Sequence, residues 1–464
     1  MRLDRLLDEL EVVDVQGQAT GVEVTSVGHD SRLVEPGSLF CALPGRHGDG
    51  HDHAAEAAAR GAAAVLAARP VDVDVPVVVV EDTRRQMGRA AAAFWGHPSR
   101  RLPVVGVTGT NGKTTTTWFL HAILEAAGRS TGVIGTLSGP LTTPESPDLQ
   151  ACLAGMVTAG RAAVAMEVSS HALAQRRVDA VWFEAVAFTN LSQDHLEYHG
   201  TMEEYFRAKA SLFDPARARV GVANADDEWG RRLLASSRLA VRPFGMADAH
   251  GLVVDRDGSS FTLDGERVHL RLSGAFNVAN ALAAAAVARE LGVAAADVAA
   301  GLGTVAAVPG RFERVDGGGP VAVVVDYAHT PDGLEKVLAT ARQLAGEGRV
   351  VAVFGAGGDR DHAKRPAMGD VATRLADLAV LTSDNPRNED PLAIIAEVRA
   401  GVGRPEALVV EPDRRAAIAL ALSAARPGDV VVIAGKGHET TQVLAGGRTV
   451  PFDDRDVARE LLAS

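Results

Sequence analysis

The sequence predicts an α/β protein of three domains, the second and third each a parallel sheet wrapped by helices. Three observations carry that prediction. Short apolar runs alternate with helical stretches from Leu102 onward, the order that a parallel sheet with crossover helices requires. A glycine-bearing turn joins one such run to a helix at Thr108–Thr115, the arrangement of a phosphate-binding loop. The 464 residues are 47% hydrophobic and 23% charged, enough for about three domains of roughly 100–200 residues, each with its own core.

The elements follow in order. Met1–Leu10 carries charges throughout and reads as a short amphipathic helix rather than a secretory signal. Apolar runs at Val22–Val27, Leu39–Leu43 and Val75–Val80, an Ala-rich helical stretch at Ala54–Ala68 and turns at Pro36-Gly37 and Gly48-Asp-Gly50 make residues 1–99 a small α/β domain. Residues 100–308 hold strands at Pro103–Val107, Val164–Val168, Ala185–Thr189 and Val220–Asn224. Past Pro309-Gly310, residues 309–464 form a second doubly wound unit, with strands at Val321–Asp326, Val350–Gly355, Ala379–Thr382 and Val430–Ala434.

Composition removes several function classes. A net charge of −12 repels nucleic acid and anionic membranes on average, so an anionic ligand needs local cations. Cys41 and Cys152 are too few for a disulfide framework and stand in no Cys-x-x-Cys spacing, which points to a reducing, cytoplasmic setting. The longest charge-free run, Leu272–Ala288, is shorter than the roughly 20 apolar residues of a membrane span.

The sharpest local signal is Val104-Val-Gly-Val-Thr-Gly-Thr-Asn-Gly-Lys-Thr-Thr115. Gly109 and Gly112 let backbone N–H groups approach an anion, Lys113 adds charge toward terminal phosphates, and Thr114 supplies a hydroxyl for Mg²⁺. The strict P-loop pattern has glycine where Val107 stands, so the segment is a variant of it. Thr116, Phe119, Leu120, Ile123, Leu124 and Ala127 recur at helical spacing behind the loop, and Gly128 can end that helix. A nucleotide loop alone leaves kinase, GTPase, ATPase and ligase open.

Further segments narrow the choice. Met166-Glu-Val-Ser-Ser-His-Ala-Leu173, Thr189-Asn-Leu-Ser-Gln-Asp-His195, Pro309-Gly-Arg-Phe-Glu313, Asp326-Tyr-Ala-His-Thr-Pro331 and Ala434-Gly-Lys-Gly-His-Glu439 together resemble the ATP-dependent Mur ligases of peptidoglycan synthesis along the whole chain. Asp384-Asn-Pro-Arg387 makes it look most like the member that adds meso-diaminopimelate to UDP-MurNAc-L-Ala-D-Glu. The resemblance implies an N-terminal UDP-sugar domain, a central P-loop-type ATPase and a C-terminal Rossmann-like domain that closes over the nucleotide. It implies an ADP-forming ligase: ATP phosphorylates the D-Glu γ-carboxylate, and an amine attacks the acyl phosphate.

Residue roles follow from the same resemblance. Gly109, Thr110, Asn111, Gly112, Lys113, Thr114 and Thr115 cradle ATP, with Asn280 near adenine and Arg311 and Asp326 on phosphate and ribose. Thr114 and Glu167 ligate one Mg²⁺, and His195 helps bind a second together with Lys209 as a CO₂-derived carbamate. Lys113, Glu167, His195 and Lys209 form the catalytic set. By its residue type alone, Lys209 in Tyr205-Phe-Arg-Ala-Lys209 is either buried with a lowered pKa or a snorkelling surface lysine. Ser31, Thr142, Thr143, Ser169, Gln175 and Arg177 match the UDP-sugar-peptide positions; Leu141 stands where the family often has Asn, and Glu197 where it usually has Asp. Arg360, Asp384, Asn385, Pro386, Arg387, Gly435 and Glu439 match the diaminopimelate pocket, whose extra carboxylate asks for an arginine clamp and whose extra ammonium asks for an acceptor.

Expected partners are these small molecules alone, acting on a monomer. The rival readings are an L-lysine-adding Mur ligase, a folylpolyglutamate-synthetase-like ligase, and a nucleotide-binding scaffold without activity. His195 and His199, four apart, also invite a zinc reading, against which Glu197 stands at the wrong spacing for His-Glu-x-x-His.

Overall fold

The computed structural model describes residues 1–45, 48–255, 257–315 and 320–463. Three sheets of mixed α/β units follow one another along the chain. The N-terminal sheet has the strand order Val12–Gln16, Val77–Val80, Ala64–Ala67, Ser38–Cys41, Ser26–Gly28, with only Val12–Gln16 antiparallel to its neighbour. The central sheet is all parallel, ordered Val241–Phe244, Gly221–Asn224, Ala185–Phe188, Val104–Thr108, Ala163–Glu167, Thr131–Ile134. The C-terminal sheet runs Glu313–Val315, Ala322–Asp326, Val430–Ala434, Val350–Phe354, Leu378–Leu381, Leu408–Val410, antiparallel only at its first pair.

Both faces of each sheet are covered, which is why the strands read as unbroken apolar runs rather than alternating ones. Leu39 and Cys41 pack on one side of the N-terminal sheet while Phe40 and Ala42 pack on the other. Val350, Ala352 and Phe354 face one layer of the C-terminal unit and Val351 and Val353 the opposite layer. Among the described residues no helix is long and apolar enough to cross a membrane.

Two local readings change. The Ala-rich stretch Ala54–Ala68 is a helix only over Ala54–Ala59; Gly61 takes φ +98°, and Ala64–Ala67 then enters the sheet as a fully buried strand. Alanine fits either state, so burial between two strands overrides its helical propensity. An antiparallel meander, His250–Asp255, Gly258–Leu263 and Glu266–Leu270, adds to the central unit. Its Phe261, Leu263, Val268 and Leu270 join the core behind the phosphate-loop helix.

One buried ion pair braces the C-terminal unit. Arg414 and Asp454 are both fully buried, joined by Nε to Oδ1 at 2.8 Å and Nη2 to Oδ2 at 2.7 Å, and Arg414 also donates to the Ala434 carbonyl at 3.0 Å. Removing one partner strands a buried charge, so Asp454→Ala is expected to lower the stability of this unit by about 3–5 kcal/mol, read as an earlier urea unfolding transition.

Candidate active site

The carboxyl ends of the central and C-terminal strands open onto one crevice, where open α/β sheets place their ligands. From the central sheet come the loop after Thr108, Glu167, the segment after Phe188, and Asn224. From the C-terminal sheet come Asp326, the segment after Phe354, Asp384 after Leu381, and Gly435 after Ala434. Residues of both units line a single cavity of about 970 Å³.

The phosphate loop is held open by its glycines. Gly109 has φ +151°, and a Cβ there would lie 1.9 Å from Thr189 Oγ1; Gly112 has φ +86° and would meet Asn280 Oδ1 at 2.2 Å. The helix Lys113–Ala126 starts immediately after Gly112, so its N-terminal N–H groups face the loop. Lys113 Nζ donates to the Gly109 and Thr110 carbonyls at 3.0 and 2.9 Å. Burial pushes the Lys113 ammonium below its ordinary pKa, with Arg311 nearby adding to the effect and Glu167 opposing it. Such a cation gains most when an anion arrives.

Thr114 Oγ1 donates to Glu167 Oε2 at 3.0 Å and accepts from Arg311 Nη2 at 3.0 Å. The Glu167 carboxylate also takes the Thr136 N–H at 2.8 Å and the Thr136 hydroxyl at 3.1 Å. A hydroxyl and a carboxylate beside a phosphate loop are the hard oxygen donors that suit Mg²⁺. Asp326 accepts the N–H groups of Phe312 and Ala328 at 2.6 and 2.7 Å, and its burial raises its pKa. The Arg311 guanidinium lies 4.5 Å over the Tyr327 ring. Asn280 and Arg311 both line the cavity.

Lys209 is buried, 1% exposed, and lies behind the loop, with Nζ donating to the Gly109 carbonyl at 2.8 Å and sitting 4.6 Å over the Tyr205 ring. It is therefore no snorkelling surface lysine. Burial, with Lys113 adding to it, holds the amine well below its ordinary pKa. His195 sits at the N-terminus of the short helix Leu196–His199 with φ +56°. The helical turn thus begins only after it, and the His195 and His199 rings both lie against His171, with centroids 4.7 and 5.6 Å away.

The set matched to the UDP-sugar peptide forms one connected group, apart from Ser31. Thr143 Oγ1 donates to the Glu167 carbonyl at 2.9 Å and accepts the Ser169 N–H at 3.0 Å. Thr142 Oγ1 is 3.1 Å from Thr136 Oγ1. Arg177 donates to the Thr143 carbonyl at 2.9 Å and to Gln175 Oε1 at 2.6 Å, and pairs with Glu145 at 2.9 Å. Ser31 lies apart in the N-terminal unit, in a pocket with His29, Asp30, Arg32, Phe40, Gly50, His53 and Glu56, its hydroxyl 3.2 Å from Glu56.

At the far end of the cavity stand Arg360, Asp384, Asn385, Arg387, Gly435 and Glu439; Pro386 belongs to the same turn without lining the space. Arg387 takes φ +51° and donates to the Gly358 carbonyl at 2.8 Å. Among the described residues neither Arg360 nor Arg387 has a carboxylate within 4.0 Å. Burial, with Arg360 adding to it, lowers the Arg387 pKa. Asp384 and Glu439 oppose that shift from beyond contact distance, and guanidiniums with no carboxylate in direct contact can take one from a ligand.

The structure also brings in residues to which the sequence assigned no role. Asp194, buried, meets Lys364 at 3.2 Å, His195 at 3.2 Å and His329 at 3.6 Å, tying the two units together. Asn111 Nδ2 donates to Asp332 at 2.8 Å across the same seam. Asp194 stands in the Thr189–His195 segment beside His195, the only sequence signal that pointed at it.

A three-unit α/β chain with a glycine-bearing strand-to-helix loop and two arginines in one crevice fits an ATP-dependent ligase, and the chain belongs to the Mur ligase family. Residues 23–95 match the family model described as the Mur ligase family catalytic domain, 107–288 the Mur ligase middle domain, and 310–437 the Mur ligase glutamate ligase domain. A Streptomyces coelicolor protein named UDP-N-acetylmuramoyl-L-alanyl-D-glutamate–2,6-diaminopimelate ligase is 47% identical over 492 residues, covering 99% of this chain and 96% of its own. A Solibacter usitatus protein of the same name is 48% identical over 464 residues, covering 95% and 94%. A solved structure of a ligase of that name superposes with a TM-score of 0.67 at 32% identity, covering 97% of both chains.

Proposed function

We propose that this protein joins meso-diaminopimelate to the D-Glu γ-carboxylate of UDP-MurNAc-L-Ala-D-Glu, with ATP cleaved to ADP and phosphate. The observation that carries the reading is the unpaired Arg360–Arg387 pair facing Glu439 in the same cavity as the phosphate loop. Near-full-length relatives named for that reaction support it.

The chemistry accounts for the residues. A carboxylate does not acylate an amine, so a γ-carboxylate oxygen attacks the γ-phosphorus of ATP, the bond to the ADP oxygen breaks, and an acyl phosphate forms. The amine nitrogen then attacks the acyl carbon, phosphate leaves, and the amine gives up a proton. Two anions must meet in the first step, and Lys113 supplies fixed positive charge at the transferring oxygens. Thr114 and Glu167 would hold one Mg²⁺; His195, with Lys209 as a carbamate, would hold a second. When bound, these ions neutralise the phosphates and carboxylate as Lewis acids. Lys209 suits the modification because its buried amine is held toward the neutral, nucleophilic form.

Thr142, Thr143, Ser169, Gln175 and Arg177 orient the sugar-peptide, and Ser31 in its own pocket contacts the UDP end. Asn280, Arg311 and Asp326 place the nucleotide. On this reading residues 1–99, 100–308 and 309–464 are the working domains of a cytoplasmic monomer. Incubation with UDP-MurNAc-L-Ala-D-Glu, Mg·ATP and meso-diaminopimelate should give a product heavier by one diaminopimelate residue and one ADP per product by mass spectrometry. ADP released without that product would contradict the reading.

A further inference from the structure

Lys436 is fully buried in the Ala434–Glu439 turn and does not line the cavity, yet its amine reaches Asn385 and Glu439, which do. Nζ donates to three segments at once: Asn385 Oδ1 at 3.2 Å, Glu439 Oε2 at 3.0 Å and the Thr441 carbonyl at 2.6 Å. Asn385 Nδ2 donates to the same Glu439 Oε2 at 2.7 Å, and Asn385 Oδ1 also takes the Val443 N–H at 2.9 Å. One oxygen of Glu439 is thus committed inside the protein. Its Oε1 takes no hydrogen bond from the described residues and is left to an incoming ligand.

We propose that Lys436 is a positioning residue that sets acceptor specificity, fixing Asn385 and Glu439 and cancelling most of the Glu439 charge toward the pocket. The inference rests on the acceptor reading above and deepens it. Charge decides the outcome. Lys436, Arg360 and Arg387 place three cations around this end of the cavity, against Glu439 and Asp384. An acceptor whose distal centre carries both ammonium and carboxylate adds no net charge and pairs each group, the carboxylate with the guanidiniums and the ammonium with Glu439 Oε1. A side chain ending in a lone ammonium adds a fourth cation and leaves both guanidiniums unpaired, so it is rejected. Without Lys436, Glu439 recovers its full charge and the pocket welcomes that lone ammonium.

The test is steady-state ADP release by the full chain, with Lys436→Met, Glu439→Gln and the double variant compared with the unsubstituted protein. Meso-diaminopimelate and L-lysine serve as acceptors. For Lys436→Met the KM for diaminopimelate should rise about 30-fold or more while the KM for ATP stays within about twofold, and the preference for diaminopimelate over lysine should fall at least about tenfold. Glu439→Gln should cost far less in the Lys436→Met background than alone. Should Lys436→Met fail to fold, Lys436→Gln, which keeps an N–H donor under Glu439 but removes the charge, carries the test through the same loss of preference. An unchanged preference, or a fall in kcat with the diaminopimelate KM unmoved, would overturn the proposal. Unsubstituted protein that uses neither acceptor overturns the acceptor reading itself, and this proposal with it.

Discussion

Replacing Lys113 with alanine is expected to lower kcat for ADP release by at least about 10²–10³-fold while leaving the fold intact. That range is the cost of removing one preorganised stabilising group from a site where charge develops, and Lys113 brings a full charge. Its protein partners are two carbonyls of its own loop, 3.0 and 2.9 Å away. The alanine variant therefore strands no buried charge, and its thermal melt should match the unsubstituted protein. Kinetics and melting on the same preparation check both halves; activity within tenfold of the original would remove Lys113 from the chemistry.

The second large effect is expected at Arg387. Asparagine is the informative replacement, because position 387 has φ +51°, a backbone conformation that asparagine tolerates better than most residues. Arg387→Asn should cost about 2–5 kcal/mol in kcat/KM for meso-diaminopimelate, the range for truncating one member of a buried charge pair. The KM values for ATP and the UDP-sugar peptide should not move. Lysine at 387 should not rescue, since a point charge does not reproduce a planar two-pronged donor. Equal losses for all three substrates would mean that the turn, rather than the clamp, had been damaged.

How far the sequence could carry these conclusions depended on distance along the chain. The phosphate loop was readable because strand, glycines, lysine and hydroxyls lie within twelve residues, and the helix behind it kept its apolar period. The Asp384–Arg387 turn was readable for the same reason. The strands buried on both faces were readable as unbroken apolar runs, but Ala64–Ala67 was not, because alanine carries too little preference to separate a buried strand from a helix. The burial of Lys209 was beyond the sequence: one lysine among apolar neighbours fits a snorkelling side chain as well as a desolvated one.

The seam between the central and C-terminal units was unreadable in principle. Asp194 and Lys364 are 170 residues apart, and Asn111 and Asp332 are 221 apart. Asn111 and Asp194 stand in motifs legible in the sequence, but nothing there pairs them with Asp332 and Lys364 until the fold does. Lys436 stood inside a quoted motif, yet only the geometry shows its amine turned inward under Asn385 and Glu439.

The most direct measurement is ADP release with UDP-MurNAc-L-Ala-D-Glu and Mg·ATP, comparing meso-diaminopimelate with L-lysine at equal concentration in protein supplied with bicarbonate. A strong preference for diaminopimelate is the predicted result, because only that acceptor brings a second, distal carboxylate to Arg360 and Arg387. Preference for lysine would contradict the clamp while leaving the ligase chemistry standing, and no release with either acceptor would contradict the ligase reading.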